Sequence, residues 1–295
     1  MVPRCVLIER PTEYEELLAR HVTHAQARFF LSQRGRSVED LEYRHDEQRR
    51  HHREVLASIP PEWRRATLTR EDLDRFLFEA DDVVVVLGQD GLVANVAKYL
   101  DGQPVIGLNP QPDVYPGVLV CHPPKAAGEL MRDVHGGRAR VQRRTMVAAT
   151  VDDGQTLTAL NEIFVGHSSH QSARYTIAVV GTSERQSSSG VIVATGTGAT
   201  GWAASIRLER HSALQMPGPE DASLAYFIRE PWPSRATGTT ITEGVLGGGG
   251  LLEITSELGE GAIIFGDGIE NDRIHIDWGQ HVEIRTADRA LHLVR

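Results

Sequence analysis

The sequence predicts an α/β N-terminal domain with a parallel sheet, followed by a β-rich C-terminal domain. Three observations carry that prediction. Residues 81–91, DDVVVVLGQDG, set four valines and a leucine between acids and glycines, the composition of a strand buried on both faces. A glycine turn at 88–91, a short helical stretch at 92–100 and the apolar run PVIGL at 104–108 come next, an order of strand, turn, helix and strand that fits a Rossmann-like sheet. From about residue 138 short alternating stretches dominate, punctuated by glycine, serine and aspartate, which is the rhythm of antiparallel strands.

Along the chain, residues 2–9 read as a first strand, and 11–31 as one helix opened by a proline. Residues 38–59 are densely charged, with apolar positions at Val38, Leu41, Val55, Leu56 and Ile59, and read as a solvated helix with one sticky end. Thr69 with Asp72 resembles a capping box opening a helix that holds Leu73, Phe76 and Leu77. The character changes after NPQPDVYPG (109–117), so the domain boundary is placed near residue 120, with 1–120 as the α/β domain and 121–265 as the all-β domain. Within the β region, TALNEIFV (158–165) reads as one strand, GWAASIRLERHS (201–212) as a helical insert, and the four glycines at 247–250 as a flexible loop.

The 295 residues carry a net charge of −9, so no global positive field would gather nucleic acid. No stretch approaches the roughly 18 consecutive apolar residues of a membrane span, and the first residues run straight into a strand pattern, so the reading is a cytoplasmic protein. Cys5 and Cys121 have no metal-ligand spacing and read as small thiols in a reducing compartment. His45, His51 and His52 lie among arginines that would repel a cation, so no metal site is assigned. P-loop, HExxH and GxSxG patterns are absent from the sequence, which leaves P-loop kinase, zincin and serine hydrolase readings unsupported.

Three places offer chemistry. Gly88, Gln89, Asp90 and Gly91 form a turn at the carboxyl end of a buried strand, where open α/β sheets bind ligands and backbone N–H groups face phosphate. Asp90 at such an edge fits phosphoryl transfer, which needs a carboxylate to orient or deprotonate a nucleophile or to hold Mg²⁺; the plain alternative is an N-cap. Gly196, Gly198 and Gly201 spell GxGxxG, yet no second parallel strand follows, so a dehydrogenase ranks last. Thr195, Thr197 and Thr200 add hydroxyls suited to phosphate or ribose. Asn161 and Glu162 are adjacent polar residues inside an apolar run, facing opposite sides of a strand.

Taken in this order, GQDG with its helix and PVIGLN, Asn161-Glu162, TGTGATGW (195–202) and IIFGDG (263–268) resemble the NAD kinase family. The likeness is closest to the mitochondrial-type branch, which shares the SSG before the TGTG turn, the IREP stretch at 228–231 and the insertion after the second strand. The resemblance implies an NAD kinase-like two-domain fold in which 1–120 binds nucleotide, 121–265 binds the dinucleotide, and strands in 266–295 return towards the N-terminal domain, with the site between the domains. It implies ATP as phosphate donor with Mg²⁺, NAD as acceptor, and Asp90 as base on the adenosine 2′-hydroxyl. Gly88, Gln89, Gly91, Thr197 and Gly198 would meet phosphates, Asn161 and Glu162 would hold the dinucleotide, and Ser189, Thr195 and Thr200 complete the implied lining. A homodimer or homotetramer is also implied, with small molecules as the only other partners.

Gln89 and Leu92 depart from the family pattern, replacing a glycine and a threonine, and Ser189 stands where the larger bacterial branch has an aspartate. A glutamine at positive φ would carry of order 1 kcal/mol of strain, so the expectation is a rearranged turn whose Gln89 amide donates to phosphate. The alternatives are a related kinase acting on another nucleotide or hydroxyl metabolite, and a catalytically weak dinucleotide-binding sensor.

Overall fold

Four valines in succession leave the strand Asp82–Leu87 no polar face, and all 6 of its residues are buried. The computed structural model describes residues 2–295. They form two compact units, one running through Val141 and taking back His292–Arg295, the other comprising Gln142–Leu291.

In the first unit, β1 (Arg4–Glu9), β2 (Arg64–Thr69), β3 (Asp82–Leu87) and β4 (Pro104–Leu108) form a parallel sheet in the order β2-β1-β3-β4. The end of the chain's last strand joins beside β4, also parallel, through His292↔Pro104 and Leu293↔Val105. Its helices are α1 (Glu13–His21), α2 (His24–Ser32), α3 (Val38–Ser58), α4 (Asp90–Ala97) and α5 (Ala127–His135). Cys5, Leu7, Val83, Val85 and Ile106 on one face pack with Val55 of α3 and Met131 of α5. The alternate residues Val6, Ile8, Val84 and Val86 are equally buried, as the valine run requires of a sheet covered on both sides.

Two expectations for this unit are corrected, and one strand was not expected. Residues 11–31 are two helices, because Val22 takes φ 62° and Thr23 then starts α2 by accepting from the Gln26 N–H. A β-branched residue in that region is unfavourable, while Thr23 gains a cap that a continuous helix would deny it. The Thr69–Asp72 capping box forms, but it opens a single 3₁₀ turn and Leu77 is left exposed. The residues before it, RRATLT, form β2, an edge strand whose one buried residue, Leu68, is too weak a pattern to read from sequence.

The second unit contains β5 (Val141–Val151), β6 (Thr156–Ala159), β7 (Glu162–His167), β8 (Ala173–Val179), β9 (Thr182–Ser188), β10 (Gly190–Ala194), α6 (Trp202–Arg210), β11 (Leu224–Arg229), β12 (Glu243–Leu246), β13 (Leu252–Ser256), β14 (Ala262–Gly266), β15 (Ile269–Ile276) and most of β16 (His281–Val294). One sheet runs β12-β11-β10-β7-β14-β15, antiparallel throughout. The other runs β16-β13-β8-β9, with β5 pairing both β16 and β6. Ile163, Val165, Val191 and Val193 face Tyr175, Ile177, Ile254 and Val282 in the core. The opposite side of the six-stranded sheet buries Phe164, Ile192, Ala194 and Phe227 under Ala203 and Ile206 of α6. The run TALNEIFV is not one strand: β6 ends at Ala159 and β7 begins at Glu162, which leaves Asn161 in the break.

Candidate functional site

At the end of β3 the chain turns directly into α4. Gln89 is the N-cap residue with φ −111° and ψ 164°, ordinary extended backbone, and its side chain makes no capping hydrogen bond. Neither Gly88 nor Gly91 lies at positive φ. The strain expected of a glutamine here is therefore absent, and the turn needs no left-handed residue. Gln89 is exposed and, with Arg10, Thr12, Arg44, His45 and Asn109, lines a cavity at the carboxyl edge of the sheet. Leu92, by contrast, is buried in the core beneath the turn.

Asp90 turns away from the helix that it opens. Its Oδ2 accepts from the Val118 N–H at 2.7 Å, and its Oδ1 accepts from the Leu119 and Val120 N–H groups at 2.7 and 2.9 Å. Three of a carboxylate's roughly four acceptor directions are thus occupied. The segment it fastens runs beside β4, where a Cβ on Gly107 would stand 2.1 Å from the Leu119 carbonyl oxygen. Gly117, at φ 55°, turns the chain into this segment with no room for a side chain. The plain reading of Asp90 as an N-cap is thus replaced by a different structural task.

The second unit brings together Asn161, Glu162, Thr195, Thr197 and Gly198. Asp267, at φ 54° in the turn between β14 and β15, accepts from the Leu160 N–H at 3.0 Å and the Asn161 N–H at 2.6 Å. The Asn161 carbonyl accepts from the Thr195 N–H at 2.9 Å. Thr195 Oγ1 donates to the Leu160 carbonyl at 2.6 Å and accepts from the Thr197 and Gly198 N–H groups. A Cβ on Gly198 would lie 2.3 Å from the Asn161 carbonyl oxygen, and one on Gly196 would lie 2.0 Å from that of Gly218. These two glycines thus serve close backbone packing. Because β10 is antiparallel to both of its neighbours, the GxGxxG has no Rossmann context.

Glu162 is buried, and its carboxyl receives no hydrogen bond or ion pair among the described residues. Burial, reinforced by the nearby Asp267 carboxylate, pushes it up to about 7. Sequence reasoning missed Arg144, a fully buried cation whose Nη1 donates to Thr197 Oγ1 at 3.2 Å. The sequence holds no signal for it beyond an arginine at an inward position of a strand.

Ser189 stands at the opposite end of β10 from Thr195, exposed, with its N–H bonded to the Arg229 carbonyl. Thr200 is exposed in the 3₁₀ turn that precedes α6. The histidines of α3 are engaged locally, His45 by Thr12 and His52 by Glu9. Among the described residues, two groups could share an ion: Glu253–His281–Glu283 on β13 and β16, and Glu79–Asp81–Asp82 at the start of β3, where Arg4 already binds Asp82. Neither lies at the motifs described above. No helix among the described residues is long and apolar enough to cross a membrane.

A parallel sheet ending in a glycine turn, and an antiparallel unit with a polar corner of threonine, carboxylate and tightly packed glycine, define a two-unit fold with one α/β and one β-rich part. The chain is similar to the NAD kinase of Cupriavidus pinatubonensis, 34% identical over 146 residues that cover 47% of this chain and 46% of that protein. It is also similar to NAD kinase 2, mitochondrial, of Rattus norvegicus, 26% identical over 264 residues that cover 72% of this chain and 62% of that protein. The chain spans about half the length of the curated relatives that it matches first. An NAD kinase from Archaeoglobus fulgidus, solved in complex with ATP, superposes with a TM-score of 0.60 at 19% identity, covering 99% of this chain and 93% of that one. No protein-family model matches. The fold is that of the NAD kinases, and the likenesses in sequence and structure together support the NAD kinase family.

Two stability effects follow from this geometry. In Asp90→Asn, either orientation of the amide sets its NH₂ against at least one of three backbone N–H groups. The variant is expected to lose about 1–3 kcal/mol in chemical denaturation; an unchanged midpoint would remove the fastening role. Glu162 has a folded-state value above its ordinary 4.5, so the wild type loses stability as pH rises from there to about 7, where the buried carboxyl must ionise. Glu162→Gln should therefore be more stable than wild type by on the order of 1–3 kcal/mol at pH 8. That advantage should shrink towards pH 5, as read from melting temperatures across the range.

Proposed function

We propose that this chain is an NAD kinase, transferring the terminal phosphoryl group of ATP to the adenosine 2′-hydroxyl of NAD or NADH. The observation that carries this reading is the corner built on Asn161. There the two polar motifs and the glycine–threonine turn are hydrogen-bonded to one another, although they lie far apart in sequence. In this reading the acceptor's ribose meets Asn161 and Glu162. Thr197 meets a phosphate oxygen through its hydroxyl, Gly198 lets that turn lie against Asn161, and Arg144 places its charge behind the Thr197 hydroxyl. In the first unit, the cavity lined by Gly88 and Gln89 takes the donor's phosphates, helped by Arg10 and Arg44. Mg²⁺ would enter with those phosphates and offset their charge; among the described residues, the two carboxylate groups that could share an ion lie elsewhere.

The enzyme is proposed to work in the cytoplasm as a homodimer or homotetramer, a state that light scattering would read directly. Purified protein with Mg-ATP and NAD should accumulate NADP, detected by an NADP-specific dehydrogenase. Phosphorylation of some other hydroxyl metabolite, with NAD untouched, would instead favour the related-kinase alternative.

Gln89 has an unstrained backbone and a side chain at the cavity wall, which supports the role of an amide donor to phosphate in place of a lost backbone contact. Gln89→Gly should then raise the KM for ATP several-fold, with a smaller change in kcat. Tighter ATP binding and faster turnover in that variant would show instead that the glutamine only obstructs the turn.

A further inference from the structure

The two groups of side chains spaced to share an ion have different surroundings. At the start of β3, Glu79 and Asp82 are already paired with arginines: Arg4 donates to the two oxygens of Asp82 at 2.8 and 2.7 Å, and Arg64 donates to Glu79 at 2.9 Å. In the second unit, Glu253 of β13 and Glu283 of β16 stand directly opposite each other in the antiparallel register, and like charges so placed destabilise a strand pair. The register cannot slip to part them, because Leu252, Ile254, Val282 and Ile284 on the other face are fixed in the core. Among the described residues, no arginine or lysine forms an ion pair with either carboxylate. The one basic group within ion-pair distance is the His281 ring, whose Nε2 lies 3.3 Å from Glu253 Oε1.

That imidazole is held in the orientation a metal ligand needs. Its backbone is clamped by Asp152, whose Oδ2 accepts from the His281 N–H at 3.1 Å and whose own N–H donates to the His281 carbonyl at 3.0 Å. Thr255, the register partner of His281, sets its Oγ1 3.3 Å from Nδ1. When Nδ1 donates to that hydroxyl, the free lone pair lies on Nε2, the nitrogen that faces the carboxylate, as in most histidine ligands of metals. The separation of Nε2 from Glu253 Oε1 is longer than the roughly 2.7–3.2 Å of an ordinary N–H···O bond. It matches the edge of about 3.3–3.4 Å between two donors that each lie about 2.0–2.1 Å from a tetrahedral zinc. One ligand atom from each of the three residues lies within 4.8 Å of the others, and Glu283, the exposed member, has the side-chain freedom to close the remaining gap.

We propose that Glu253, His281 and Glu283 form a binding site for one divalent transition-metal cation, with zinc the best fit, that staples β13 to β16. One imidazole nitrogen and two carboxylate oxygens supply three ligands, and water completes a four-coordinate shell. The nitrogen donor selects against Mg²⁺ and Ca²⁺, which take oxygen ligands. The cation neutralises the two opposed carboxylates and turns a repulsive cross-strand pair into a bridge. Its ligands come together only when β13 and β16 are paired in this register, so binding stabilises the folded unit. The site stands apart from the kinase reading, and the cation takes no part in phosphoryl transfer.

The test titrates the chelator-treated full chain with zinc chloride, reading stoichiometry and affinity by calorimetry and stability by the melting temperature, with magnesium chloride as the comparison. Wild type should bind one zinc per chain at this site. At zinc about a hundredfold above its Kd it should melt roughly 5 °C higher or more, with no such rise in magnesium. Glu283→Gln removes the like-charge pair, so without zinc it should melt at or above wild type, yet bind zinc at least about tenfold more weakly. His281→Ala should lose the zinc-dependent rise. Thr255→Val, which removes only the partner of Nδ1, should keep a native melt and weaken zinc binding by about tenfold. A wild-type melt indifferent to zinc would overturn the proposal. So would a rise of equal size in His281→Ala and Glu283→Gln, which would place the zinc on other histidines or thiols. An equal rise in magnesium, lost in Glu283→Gln, would make this an oxygen-only site and overturn the role of His281.

Discussion

The second unit is organised by the grip of one carboxylate on two peptide groups. Asp267 accepts from the N–H groups of Leu160 and Asn161, and this interrupts what would otherwise be a continuous strand from Thr156 to His167. The interruption turns the Asn161 carbonyl to the Thr195 N–H and lets Gly198 lie against the same carbonyl. It also sets Glu162 at the head of β7 beside a carboxylate that cannot move away. The upward push on Glu162 and the close packing of the threonine–glycine turn are therefore two results of one interaction. Asp267 itself lies at positive φ in the turn from which it makes these two bonds.

The first unit uses the same device at a different place. Asp90 follows a parallel strand and opens a helix, where a carboxylate ordinarily interacts with the helix's own N-terminus. Here it reaches instead to residues 118–120 and pins them along β4, where Gly107 has given up its side chain so that the Leu119 carbonyl can approach. This explains how the turn tolerates glutamine at position 89. Neither Gly88 nor Gly91 needs glycine's conformational range, so the turn is held by the Asp90 carboxylate and by the buried Leu92 below it. Gln89 is the one side chain of the four-residue turn free to face the cavity.

Much of this was legible in the sequence because it follows from periodicity. The valine run, PVIGL and the alternating stretches after residue 138 each fix a strand by burial alone, and the structure places strands at all of them. What could not be read depends on partners distant in sequence. RRATLT has one buried residue and becomes a strand only because β1 offers it an open edge. The break at Asn161 depends on an aspartate more than a hundred residues away, and nothing local to TALNEIFV distinguishes it from a continuous strand. Arg144 is the same kind of case: a buried guanidinium is tolerable only where hydroxyl and amide acceptors converge, and these come from the turn at Thr197 and from Gln142. The motifs themselves were visible, but the hydrogen bonds that join them were not.

The GxGxxG at 196–201 shows why the physics behind a motif matters more than its letters. In a dinucleotide-binding βαβ unit those glycines serve a tight turn, an approach to pyrophosphate and a helix–strand contact. Here Gly196 makes room for the Gly218 carbonyl and Gly198 for that of Asn161, so two of the three spacings are dictated by the protein's own backbone. The turn is consequently rigid before any ligand arrives. The Thr195 hydroxyl bonds the Thr197 and Gly198 N–H groups, while Arg144 fixes the hydroxyl of Thr197. Under the proposed function, a phosphate or ribose oxygen meeting this turn would find the Thr197 hydroxyl already oriented, the condition under which electrostatic stabilisation requires no reorganisation at the moment of reaction. The glycines thus act indirectly: Gly198 lets the Thr197 turn lie closer to Asn161 than a side chain there would permit, and Gly196 does the same for the turn against Gly218.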